Sequence, residues 1–146
     1  MPTYFSLISS SLGDRFAESF AEHLHERIRK EFWGYLPDEN LSNDELIKEK
    51  YVGIRPAPGY PACPEHTEKG TLFEWLNSTQ EIGTILTESY AMYPPSSVSG
   101  FYYSLPESEY FNVGKISQDQ LEHYAKLKGW DLATAKKWLN PNLGEI

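Results

Sequence analysis

The side chains best suited to chemistry gather in Tyr51–Lys69, YVGIRPAPGYPACPEHTEK, which carries Arg55, Tyr60, the single cysteine Cys63 and His66. Four prolines and two glycines punctuate this stretch. Proline fixes φ and removes a donor, and glycine reaches backbone states closed to other residues. A loop built this way is pre-shaped and loses little entropy on ordering. Its backbone N–H and C=O groups cannot all be consumed by helix or sheet, so some remain for a ligand. Arg55, followed by Pro-Ala-Pro-Gly-Tyr, sits on a stiff backbone. Its guanidinium fork suits a carboxylate bidentately. The same arginine could instead bridge to one of the 21 acidic residues of the chain. The pattern makes Arg55–Tyr60 a candidate binding loop and leaves those two roles for Arg55 open.

Other chemistry is weaker. Cys63-Pro-Glu-His66 has a spacing a metal could use, yet two ligands do not close a four-ligand site. A thiol nucleophile at Cys63 would need a positioned base, and His66 is the near one; a structural or helix-start role for His66 competes with that reading. His23 and His25 stand two apart on a helical pattern and so point to different faces. No P-loop, GxGxxG, HExxH or GxSxG pattern is present. No catalytic residue and no metal site are therefore assigned. Glu18 lies beside the apolar stripe of a helix, where a solvated carboxylate is the simple reading. The aromatic run Phe101–Phe111 could pack a sheet on helices or stack on a flat heterocycle.

The elements that must position these residues follow from periodicity. Leu12, Phe16, Phe20, Leu24 and Ile28 recur every four residues and predict an amphipathic helix over Leu12–Trp33, with Ser10 or Ser11 as N-cap and Gly34 as the stop. Ser42 and Glu45 form a capping-box pattern opening a short helix to about Lys50. Thr67–Leu76 reads as a third helix. Thr84–Ser89, Ser97–Tyr103 and Tyr110–Gly114 have strand composition, and the last two predict a hairpin through Leu105–Ser108. Gly100 inside its strand signals a bulge or a close backbone approach. Ser117–Lys128 and a helix capped by Asp131 close the pattern. Helices, then antiparallel strands, then helices imply an α+β fold, with about three readable strands flanked by helices.

The 146 residues fit one domain, taken as 1–146. No apolar run approaches the ~20 residues that span a bilayer, and Met1–Ser11 lacks the features of a signal peptide. One cysteine suits a reducing compartment, so a cytoplasmic protein is expected. A formal charge of −8 disfavours nucleic acid and anionic membranes as partners.

At the loop the chain resembles a known family. RPAPGYPACPEHTEK at Arg55–Lys69 is similar to the signature loop of the activation domain of cobalamin-dependent methionine synthase. The likeness continues through Leu12–Tyr35 (LGDRFAESFAEHLHERIRKEFWGY), Glu39–Leu46 (ENLSNDEL), Leu86–Met92 (LTESYAM), Ser97–Ser104 (SVSGFYYS), Ser108–Val113 (SEYFNV), Asp119–Gly129 (DQLEHYAKLKG) and Trp138–Gly144 (WLNPNLG). The resemblance implies a groove that binds S-adenosylmethionine and presents its methyl group to cobalamin held by another module. One electron from a flavoprotein, flavodoxin in many bacteria, then completes reactivation of oxidised cob(II)alamin. Position by position it implies Arg55, Ala57 and Tyr60 on the loop, Tyr110 and Phe111 on the strand side and Glu18 on the helix as ligand contacts, with His66 facing the cobalamin.

The likeness also has gaps. The family's domain is longer and begins before Leu12, and the part without a counterpart includes earlier strands and an acidic ligand contact. The cobalamin lower-ligand motif DxHxxG is absent. The expectation is thus an N-terminally truncated activation domain, acting as part of a methyltransferase; the alternative is a stand-alone S-adenosylmethionine-binding or sensor protein with no catalytic role.

Overall fold

The computed structural model describes residues 4–144. The long helix α1 runs Tyr4–Arg27 and passes into a π-helical turn, Ile28–Phe32. It begins earlier than the serines suggest, so Ser10 and Ser11 lie inside it and cap nothing. Ile8 extends the four-residue spacing of Leu12 back by a turn, and the serine propensity penalty is too small to break it. The end is where the sequence places it. Gly34 adopts φ +69°, and the N–H groups of Trp33 and Gly34 both reach the Ile28 carbonyl, at 3.0 and 3.1 Å.

α2 (Asn43–Ile47) opens with the expected capping box: the Glu45 carboxylate accepts from the Ser42 N–H at 3.0 Å and its hydroxyl at 2.8 Å. α3 (Glu68–Trp75) and α4 (Ser78–Ile82) follow the Pro-rich loop. A two-stranded antiparallel ribbon joins β1 (Ile85–Leu86) to β2 (Met92–Tyr93), pairing Ile85 with Tyr93 and Leu86 with Met92. α5 (Gln118–Lys128) ends at Gly129, φ +67°. In α6 (Leu132–Leu139) the Asp131 carboxylate caps the Thr134 N–H at 2.7 Å. The α+β class holds, with a smaller ribbon than three strands would make.

The expected hairpin does not form. Its first segment pairs with the Pro-rich loop: Ile54 and Tyr103 exchange hydrogen bonds of 3.0 and 2.9 Å, and the Phe101 N–H donates to the Pro56 carbonyl at 2.9 Å. Its second segment bonds to the same loop farther on, Val113 N–H to Pro61 carbonyl at 3.0 Å. Prolines 56, 58 and 61 have no N–H, but their carbonyls still need donors, and these two segments supply donors to Pro56 and Pro61. The close approach signalled by Gly100 is this contact: a Cβ there would lie 2.6 Å from the Pro56 carbonyl oxygen.

One apolar cluster forms the core. Leu121, Ala125, Ala135 and Leu139 are buried between α5 and α6, with Tyr124, Trp130 and Leu143 packed around them. Ala21, Tyr51, Ile54 and Leu72 are buried outside that cluster. The loop is tied to α5 through buried Glu65, which accepts from the Tyr124 hydroxyl at 2.9 Å and pairs with Lys128 at 3.1 Å. The apolar stripe of α1 is not the buried face. Phe16 and Phe20 are 67% and 64% exposed, whereas Ala21, His25 and Arg29, spaced four apart, are buried. No helix among the described residues is long and apolar enough to cross a membrane.

Candidate functional site

Arg55 follows the buried Ile54. Its N–H donates to the Tyr110 hydroxyl at 3.0 Å, which ties the loop to the aromatic segment. Its guanidinium is held by α1 and by its own loop. One terminal nitrogen lies 2.6 Å from the Glu22 carboxylate; the other donates to the Tyr51 hydroxyl at 2.6 Å and lies 3.3 Å from His25 Nδ1. Burial works against the charge, but Tyr51 and Glu22 outweigh it and raise the arginine's pKa, so Arg55 is a fixed cation.

The rest of the loop is shaped by local bonds. Gly59 takes φ +100°, and its N–H donates to the Cys63 carbonyl at 2.7 Å, while the Cys63 N–H returns a bond to Tyr60 at 2.9 Å. This turn exposes the Tyr60 ring. A Cβ on Gly59 would fall 2.1 Å from His66 Cε1, so the glycine is required by contact as well as by φ. Ala57 faces Gly100, whose own Cβ would sit 3.2 Å from that of Ala57. Both positions are small because two backbones meet there.

These features enclose an open groove of about 600 Å³. Its lining includes Glu18 and Ala21 from α1, Glu49, Arg55, Ala57 and Tyr60, and Val98, Tyr110 and Phe111 from later in the chain. All six residues expected on one ligand site, Glu18, Arg55, Ala57, Tyr60, Tyr110 and Phe111, are thus brought together. The volume lies in the ~300–1,000 Å³ range of small-molecule pockets. A lining that combines a cation, the carboxylates of Glu18 and Glu49 and three exposed rings suits an amphoteric ligand with a flat heterocycle.

His66 is not part of that lining. It lies against Gly59, and its Nδ1 is 2.9 Å from the Lys69 ammonium. Desolvation and that ammonium lower its pKa, so it is a neutral imidazole at the surface of the loop. Burial, followed by the carboxylates of Glu65 and Glu68, raises the pKa of Cys63 and disfavours its thiolate. No hydrogen bond joins it to His66 among the described residues.

Four residues that support or line the groove escape sequence reasoning. Glu49 has a left-handed backbone, φ +53°, that no local motif announces. Glu22, His25 and Tyr51 act from behind Arg55. A signal was available in the spacing of Glu22, His25 and Arg29, which share one face of α1, but polar residues at that spacing ordinarily read as a solvated face.

The family model for the vitamin B12 dependent methionine synthase activation domain matches residues 2–129. A crystal structure of the MetH reactivation domain bound to AdoHcy superposes with a TM-score of 0.94 at 57% sequence identity, over 98% of this chain and 44% of that one. The chain belongs to the family of vitamin B12-dependent methionine synthase activation domains. It spans less than half the length of that solved relative.

Proposed function

We propose that the groove binds S-adenosylmethionine and that the chain serves in the reductive reactivation of cobalamin. The observation that carries this reading is the convergence of Glu18, Arg55, Ala57, Tyr60, Tyr110 and Phe111 on one groove. The relative's AdoHcy, the demethylated form of the same ligand, supports it. Arg55 holds the ligand carboxylate. Glu18 and Glu49 face the ammonium and sulfonium end, and Tyr60, Tyr110 and Phe111 bracket the adenine.

S-adenosylmethionine held there would supply an electrophilic methyl group to reduced cobalamin and would leave as the neutral thioether, while Arg55, Glu18, Glu49 and the three rings would hold and orient it. The electron needed to reduce cob(II)alamin would come from a flavoprotein such as flavodoxin. No acid or base is needed, so the residues of this chain bind and orient, and the rate gain is positional. The cobalamin is carried by the cobalamin-binding module of a methionine synthase, toward which His66 faces. The setting is the cytoplasm.

Calorimetry with S-adenosylmethionine tests the site. Arg55→Ala should weaken binding by tenfold or more, the equivalent of at least ~1.4 kcal/mol. Unchanged affinity would remove Arg55, and with it this assignment. Adding a cobalamin module and reduced flavodoxin then separates reactivation from simple binding: a chain that binds the ligand yet never promotes methylation of the cobalamin is a sensor or storage protein.

A further inference from the structure

Arg55 does not reach the groove unaided. Glu22, one turn after Glu18 on α1, places Oε2 2.6 Å from the terminal nitrogen of Arg55, while its Oε1 is buried with no hydrogen-bond partner among the described residues. A carboxylate half withdrawn from water, with one oxygen unpaired, is costly to keep. Arg55 is the one cation it pairs with among the described residues. The opposite terminal nitrogen is fixed by the Tyr51 hydroxyl and by His25. The Nε–H donates to none of these groups, and Arg55 lines the groove, so that donor is left for a ligand.

We infer that Glu22 is the positioning residue for Arg55, holding its guanidinium so that the free Nε–H meets the carboxylate of the ligand. Tyr51 and His25 complete the hold from the other side. Glu22 touches no ligand. It sets selectivity for ligands that carry a carboxylate by preventing Arg55 from swinging out into solvent. This rests on the reading of Arg55 given under the proposed function.

The test compares S-adenosylmethionine with its decarboxylated analogue, by calorimetry on the 146-residue chain. The unsubstituted chain prefers the carboxylate-bearing ligand. Glu22→Ala should lower affinity for S-adenosylmethionine by about tenfold and leave that for the analogue within about twofold, the scale of losing one charge-assisted contact. Glu22→Gln, whose amide oxygen still accepts, should restore most of the preference. Tyr51→Phe, which keeps the ring packing, should erode it in the same selective way and serves where Glu22→Ala does not fold. Equal weakening of both ligands would mean a purely structural role and overturn the inference, as would an unaltered preference in Glu22→Ala. An unsubstituted chain with no preference would instead refute the carboxylate role of Arg55 itself, and the positioning role would fall with it.

Discussion

The histidine behind Arg55 gives the chain a pH-dependent stability that can be worked out in advance. His25 is fully buried between the rings of Tyr51 and Tyr102, at centroid distances of 4.8 and 5.2 Å, and faces the cations of Arg29 and Arg55. Burial first, then Arg29 and Arg55, lower its pKa from 6.5 to about 3. Unfolding frees it to titrate at its ordinary value. Between the two values the unfolded chain binds the extra proton, so stability rises with pH across that window. It is complete above the unfolded value and is lost progressively as pH falls toward the folded one. From about pH 7 to about pH 5 the loss attributable to His25 is ~2 kcal/mol, and it stays near that figure if the folded pKa lies a unit higher. Urea unfolding at both pH values measures it. His25→Gln keeps an acceptor for Arg55 and cannot titrate, so its stability should fall by ~2 kcal/mol less over the same interval. Parallel pH dependences in the two proteins would refute the reasoning. Should the variant not fold, ring-proton NMR of the unsubstituted chain decides: His25 resonances that titrate near neutral pH would overturn the claim that it is held neutral.

Other perturbations reach the loop and its surroundings. Glu65→Ala strands the Thr67 N–H, bonded at 2.6 Å, and the Tyr124 hydroxyl while leaving Lys128 paired with Glu68, and should cost ~1–3 kcal/mol for each stranded donor in urea unfolding. Gly59→Ala forces a side chain onto a φ of +100° and into the His66 ring. It should lose ~1–3 kcal/mol from strain plus the clash, and Gly59→Ala combined with His66→Ala should recover the clash but not the strain. The exposed Phe16 and Phe20, with Ile8 and Leu12, form an apolar stripe that should make the isolated chain self-associate with rising concentration. Phe16→Lys should shift sedimentation toward monomer at a stability cost within ~0.5 kcal/mol.

Helix ends were legible because they are set by local chemistry. Ser42 with Glu45, Asp131 with Thr134, and the glycines at 34 and 129 each act within a turn of their own position. Gly100 was legible for a related reason: a glycine inside a strand-like run has few reasons to exist besides a close approach. The hairpin was not legible. Phe101–Tyr103 and Tyr110–Val113 have the composition of paired strands, but pairing is a contest among all available partners. The carbonyls of Ile54, Pro56 and Pro61 won it from far along the chain. Nor could composition tell that Arg55 is held by residues of α1, because Glu22 and His25 precede it by some thirty positions.

The lesson of α1 is that its two faces answer to different partners. Periodicity marks Leu12, Phe16 and Phe20 as the side that should be covered, yet that side is open here, and the side against the loop carries Glu22, His25 and Arg29. The polar face can be buried because each charge finds a fixed counterpart: Arg29 is bidentate to Glu39 at 2.7 Å on both nitrogens and lies over the Tyr51 ring at 4.3 Å, and Glu22 pairs with Arg55. Such pairs add little net stability over an apolar packing, but they admit few alternative arrangements. What α1 contributes to the groove is therefore direction rather than adhesion. Glu18 stands at the groove itself, Glu22 and His25 a turn or two behind it hold the arginine, and Arg29 fixes the Tyr51 ring against which that arginine rests. A substitution of Glu22 should be read first in ligand selectivity, whereas one of Arg29, fully buried against Glu39, should be read first in unfolding.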